Sequence, residues 1–186
     1  VEANLDRPVI INANIGSTMV GAIDDVPSIL AVLDQLDVRE RYVHCDAALF
    51  GCMLPFIDGA PQFDFALAID SVAISGHKFL GSPIPTGVVL TRGREPIEFS
   101  HDEAGYVGSP DCTISGSRDG ISVLILWQTL MSLGREGMQE LVLESLRLTD
   151  YALKALGDAG WDAWQNPCSC IVVFRTPGEA LVRKWQ

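Results

Sequence analysis

The chain has 186 residues, with 13 Lys and Arg against 24 Asp and Glu, a formal charge of −11 at pH 7. Its 48% hydrophobic and 20% charged residues are the balance of a globular chain, not a disordered one. The longest basic cluster is Arg183-Lys184, too little for phosphate backbones, so no nucleic-acid partner is expected; no run of about 18 apolar residues offers a membrane span.

Val1-Glu2-Ala3-Asn4 has neither the basic nor the apolar stretch of a signal peptide. The chain also lacks an initiating Met and stops in what reads as mid-helix, so a fragment of a longer, cytoplasmic protein is expected. Five cysteines (45, 52, 112, 168 and 170) form no CxxC pair and no zinc spacing with the three histidines. No metal site is expected, and the thiols read as reduced.

In chain order, Val9 to Ile15 is a β-branched run ending at Gly16 and reads as a buried strand. Asp25 offers an N-cap with Pro27 in the first turn, and Ile29, Leu30, Val32, Leu33 and Leu36 follow at helical spacing. Tyr42 to Ala47, Ser71 to Ser75 and Thr86 to Thr91 read as further strands. The strand–helix–strand opening predicts a right-handed βαβ unit and a mostly parallel sheet. The last two of these strands are about ten residues apart. That leaves no room for a helical crossover, so an antiparallel pair is expected there.

Phe99 to Asp119 is rich in Gly, Ser, Pro and Asp and reads as a long loop, of the kind that is functional or disordered. Ile121 to Leu133 is nearly continuously apolar and predicts a buried helix ending near Gly134. A second, amphipathic helix is predicted from about Gly137 to Leu156, ended by Gly157 and Gly160. Ile171 to Phe174 reads as a last strand, with a helix start after Pro177-Gly178.

Two segments carry chemistry. Ser75-Gly76-His77-Lys78 closes the apolar strand Val72-Ala73-Ile74, which brings Lys78 out near the carboxyl edge of the sheet, where open α/β sheets bind ligands. A lysine there suits Schiff-base chemistry, and Ser75 and His77 can donate to a phosphate; a surface lysine capping a strand fits the same spacing. In Tyr42-Val43-His44-Cys45-Asp46-Ala47-Ala48, alternation puts His44 and Asp46 on one face. A carboxylate ending a buried strand needs a partner. A protonated pyridine nitrogen would serve, and so would a role as a turn or N-cap residue. Asp46 and Lys78, 32 residues apart at two strand ends, can hold opposite ends of one ring-shaped cofactor.

Asp46-Ala47-Ala48 followed by Ser75-Gly76-His77-Lys78 resembles the group II pyridoxal-phosphate-dependent amino-acid decarboxylases. Three stretches are similar to the bacterial histidine decarboxylase and plant serine decarboxylase branch: Asn14-Ile15-Gly16-Ser17-Thr18 through Asp25, Val43 through Gly51, and Thr113-Ile114-Ser115-Gly116-Ser117-Arg118-Asp119-Gly120. The resemblance implies fold type I (aspartate aminotransferase-like), α/β in class. Residues 1–136 would be a partial cofactor-binding large domain with a mostly parallel sheet, and 137–186 the beginning of a small α+β domain.

It implies pyridoxal 5'-phosphate as cofactor, an amino acid as substrate (histidine first, serine second) and a homodimer. Lys78 would be the Schiff-base lysine. Asp46 would hold the pyridine nitrogen protonated, Ala48 would pack under the ring, and Ser75 and His77 would bind phosphate. Thr18 would sit near the ring oxygen or the substrate, with His44 supporting Asp46 or simply packed. Tyr106 resembles a loop tyrosine that returns the proton to the α-carbon, though an ordinary loop aromatic fits its surroundings equally. Ser117 and Arg118 resemble a segment reaching the site near a subunit boundary, where Arg118 suits an anion or a salt bridge at a helix start.

The imidazole that the family stacks on the ring is expected upstream of this segment, since His44, His77 and His101 do not occupy that position. The segment alone is therefore expected to bind cofactor weakly and to turn nothing over. Aminotransferases and sulfur-handling lyases, or an inactive paralogue acting as a binding module, are the rival readings.

Overall fold

The computed structural model describes residues 7–93 and 119–185. Tyr106, Ser117, Arg118, His101 and Cys112 lie outside the described residues, as does most of the predicted 99–119 loop. The main sheet has four strands in the order β1 (Val9–Asn14), β2 (Arg41–Asp46), β3 (Ser71–Ser75) and β4 (Gly87–Thr91). β1, β2 and β3 are parallel, with Asn14 opposite Asp46 and Asp46 opposite Ala73. β4 runs antiparallel to β3, pairing Ser75 with Gly87. The short 75–87 connection permits only that direction.

Helix α1 (Val26–Gln35) joins β1 to β2. Asp25 caps it, accepting from Ser28 N–H at 3.0 Å and from the Ser28 hydroxyl at 2.7 Å. Pro27 costs nothing in the first turn, where its missing donor has no acceptor to serve. Val26, Leu30 and Leu33 turn inward, onto a core that includes Ala13, Ile15, Val43, Cys45, Phe50 and Met53.

Phe50 is fully buried and shapes the turn after β1. Gly16 has φ 99°, and a Cβ there would fall 2.6 Å from the Phe50 ring. Gly16→Ala is therefore expected to cost about 2–4 kcal/mol, from strained backbone and overpacking together. A lowered urea midpoint in the full-length protein checks it.

Helix α2 (Ile121–Asp158) is continuous apart from non-helical geometry at Gly134 (φ 58°, ψ −168°), where the sequence places a gap between two helices. Its second half packs as an amphipathic helix, with Met138, Val142 and Thr149 buried. Its first half corrects the expectation of a buried helix: Ile121, Val123, Leu124, Trp127 and Met131 are each 58–66% exposed. An apolar wrap records that a helix is meant to be covered, but no described element lies over these side chains.

A two-stranded antiparallel sheet of β5 (Ala163–Trp164) and β6 (Val173–Phe174) follows, and then α3 (Glu179–Trp185). The predicted last strand is thus shorter than expected, and it pairs with a strand the sequence reading missed. Trp161 and Phe174 brace this sheet edge-to-face at 5.7 Å. Among the described residues no helix is long and apolar enough to cross a membrane.

Candidate active site

The three parallel strands deliver Asn14, Asp46 and Ser75 to one edge of the sheet. Asp46 ends β2 half-buried. Its main-chain carbonyl accepts from Ile15 N–H (2.8 Å) and its Oδ1 accepts from Ala48 N–H (3.1 Å). No cation pairs with that carboxylate among the described residues. Ala48 is stitched to the neighbouring strand end, its carbonyl accepting from Ser75 N–H at 3.2 Å.

Lys78 lies three residues past the end of β3, in the turn that leads back to β4, and is exposed. Its ammonium makes no hydrogen bond or ion pair among the described residues. The turn beneath it is tightly held. Gly76 N–H donates to the Thr86 carbonyl (3.0 Å) and Ser82 N–H to the Gly76 carbonyl (3.0 Å). His77 Nδ1 lies 3.0 Å from the Thr86 carbonyl and 3.2 Å from its N–H. His77 therefore ties the lysine turn to the start of β4 through Nδ1, which leaves Nε2 as the nitrogen for any ligand. Gly76 is buried, and a Cβ there would fall 2.2 Å from Thr86 Oγ1, so any side chain at this position would have to displace Thr86.

His44 shares the Asp46 face, but its Nδ1 lies 2.7 Å from Ser71 Oγ on β3. Thr18 is exposed on the loop between β1 and α1. Sequence reasoning missed Asn14 and Asp24. Asp24 Oδ2 accepts from both the main-chain N–H (2.7 Å) and the side-chain amide (3.2 Å) of Asn14, and this fixes the exposed Asn14 beside Asp46. The signal was present as two polar residues ten apart bracketing the glycine-containing turn.

Four cysteines, Cys45, Cys52, Cys168 and Cys170, are unpaired. Burial pushes the thiols of Cys52 and Cys170 up, and that of Cys45 to about 11. A thiol protonated in the folded state to about 11, against 9.0 when unfolded, contributes stability that is fully present below pH 9. That contribution is lost as pH rises through 11. Alkaline denaturation over this window and resistance of Cys45 to alkylation at pH 8 are expected; ready alkylation of folded protein contradicts it. No group of three or more His, Cys, Asp and Glu among the described residues could hold a metal.

A carboxylate with no cationic partner and an uncommitted primary amine, at the ends of adjacent parallel strands, suit a heterocycle with a basic ring nitrogen at one end and an aldehyde at the other. That donor set fits pyridoxal phosphate. Both groups lie at the carboxyl edge of the sheet, where α/β folds bind their ligands.

Residues 1–175 match the pyridoxal-dependent decarboxylase conserved domain, and the chain belongs to that family. It is 46% identical over 187 residues to a histidine decarboxylase of Vibrio campbellii, covering 99% of this chain and 48% of that protein. It is 44% identical over 185 residues to serine decarboxylase 1 of Oryza sativa subsp. japonica, covering 98% and 38%. The L-methionine decarboxylase structure from Streptomyces sp. 590 superposes with a TM-score of 0.82 at 29% identity, over 99% of this chain and 47% of that one. The chain thus spans less than half the length of these relatives, and the mostly parallel sheet is part of a fold type I domain.

Proposed function

We propose that this chain is the central segment of a pyridoxal-phosphate-dependent amino-acid decarboxylase, with L-histidine as substrate and histamine and CO2 as products. The observation that carries the reading is the pairing of Asp46, a carboxylate without a cationic partner among the described residues, with the unengaged amine of Lys78, at or just past neighbouring strand ends. When bound, the cofactor supplies an electron sink for the charge left at the α-carbon as CO2 departs.

The protein's own residues do the rest. Lys78 Nζ would hold the cofactor covalently through its primary amine. Asp46 would pair with the ring nitrogen, raising that nitrogen's affinity for a proton and stabilising charge where it develops. Ala48 leaves room for the ring face, while Ser75 and the free Nε2 of His77 serve the phosphate. Thr18 approaches from the β1 side. By the family resemblance alone, Tyr106 would return a proton to the α-carbon, and Ser117 and Arg118 would serve an anion or a subunit contact.

A cytoplasmic homodimer completes the proposal, with a division near residue 136 between cofactor-binding and small domains. The exposed apolar half of α2 supports burial in a larger assembly. Histidine and serine relatives lie at similar identity, so the substrate rests on product analysis. The full-length enzyme, given mixed amino acids, is expected to release CO2 and histamine. Ethanolamine moves the reading to serine, and a keto acid without CO2 replaces decarboxylation by transamination.

A further inference from the structure

The connection between β5 and β6 reaches back to the carboxyl edge of the main sheet. Asn166 Nδ2 donates to the Val20 carbonyl at 2.8 Å. The fully buried Ser169 presses on Gly21 so closely that a Cβ at Gly21 would fall 2.2 Å from Ser169 Oγ. Both residues belong to one β-turn. Ser169 N–H donates to the Asn166 carbonyl (3.2 Å), Pro167 takes the second position, and Cys168 takes the third with φ 58°. Proline followed by a left-handed residue is the type II pattern, whose third position favours glycine. A cysteine there holds strain of the kind a fold keeps where surrounding contacts over-determine the backbone. Ser169 Oγ accepts from Ile171 N–H (3.0 Å) and fixes the turn's far end.

What the turn grips is a small closed loop, Gly16 to Ala22. Ile15 and Ile23 bridge its base. Gly16 and Ser17 N–H both donate to the Ala22 carbonyl (3.1 and 2.8 Å), and Gly21 N–H donates to the Ser17 carbonyl (2.8 Å). Ala22 N–H donates to Ser17 Oγ (3.0 Å). Phe50 supports the loop from below at both Gly16 and Gly21. The loop is closed by these bonds, and its exposed part carries Thr18. Asn166 and Ser169 meet the loop at Val20 and Gly21.

We infer that the Asn166–Ser169 turn is a positioning device that sets where Thr18 stands at the carboxyl edge of the sheet, so that the small sheet tunes the site without touching the reacting atoms. This rests on the proposed role of Thr18 toward cofactor or substrate. Asn166 is the positioning residue, since among the described residues its side-chain hydrogen bond is the one that links the turn to the loop.

The test uses the full-length enzyme carrying Asn166→Ala or Asn166→Asp; the second keeps the shape but sets a carboxylate oxygen against the Val20 carbonyl. In cofactor-free protein, amide exchange at Ser17, Gly21 and Ala22 is expected to quicken roughly ten-fold with β1 and β2 amides unchanged. In loaded enzyme, kcat/KM is expected to fall about five- to ten-fold, with the Lys78-dependent absorbance intact. In a Thr18→Ala background, the same Asn166 change is expected to cost less than about two-fold, because coupled residues do not add.

Unchanged loop exchange, or an equal loss in both backgrounds, overturns the inference. Full activity of Thr18→Ala overturns it too, yet leaves the decarboxylase reading standing. That reading fails separately if the unmutated enzyme shows no absorbance that depends on Lys78, and the exchange experiment then still decides whether the turn holds the loop.

Discussion

Lys78→Ala in the full-length enzyme is expected to abolish the long-wavelength absorbance of bound cofactor and to lower CO2 release on the order of 10⁴–10⁶-fold, as loss of a covalent catalyst does. The expectation follows from position and from freedom. Lys78 stands on a turn whose main chain is pinned at both ends, while its amine has no competing partner among the described residues. An amine already engaged in an ion pair would have to break it before forming a covalent link. Lys78→Arg separates charge from chemistry, since a guanidinium keeps the cation but cannot serve as the amine. It is expected to be as inactive as alanine, and retention of the absorbance in either variant contradicts the assignment.

Asp46→Asn is the second large effect. The amide keeps the size and the Ala48 contact, so cofactor binding is expected to survive. Charge beside the ring nitrogen is lost, and kcat is expected to fall on the order of 10²–10³-fold, the scale for removing one preorganised electrostatic contact. A change in KM alone would mean that Asp46 only helps binding. Asp46→Glu would keep the charge but displace it by a methylene, and partial recovery is expected if position as well as sign matters.

Much of the framework was legible in local patterns. The runs Val9–Asn14, Arg41–Asp46 and Ser71–Ser75 are short, the first rich in β-branched residues, and each became a strand in the parallel part of the sheet. The tight link from Ser75 to Gly87 foretold an antiparallel β4, and Asp25 with Pro27 marked the start of α1. What local pattern could not supply was the identity of distant neighbours. Nothing near Asn166 announces a partner at Val20. β5 has two residues, too few to show alternation. The apolar stretch from Ile121 signals cover without saying what provides it. His77 was read for a phosphate, and no local pattern signalled that its Nδ1 also engages the main chain of Thr86. That partner is nine positions away, and only pairing of β3 with β4 brings it close.

The reversal of direction at β4 reaches beyond topology. A lysine on a parallel crossover would ride on a long, compliant tether, whereas this one stands on a short arch riveted into two paired strands. Its four methylene rotors then supply all the swing it has. In the role proposed for Lys78, its amine would reach a bound ring by side-chain rotation alone, and adding or deleting a residue in that arch would shift the anchors of both strands at once.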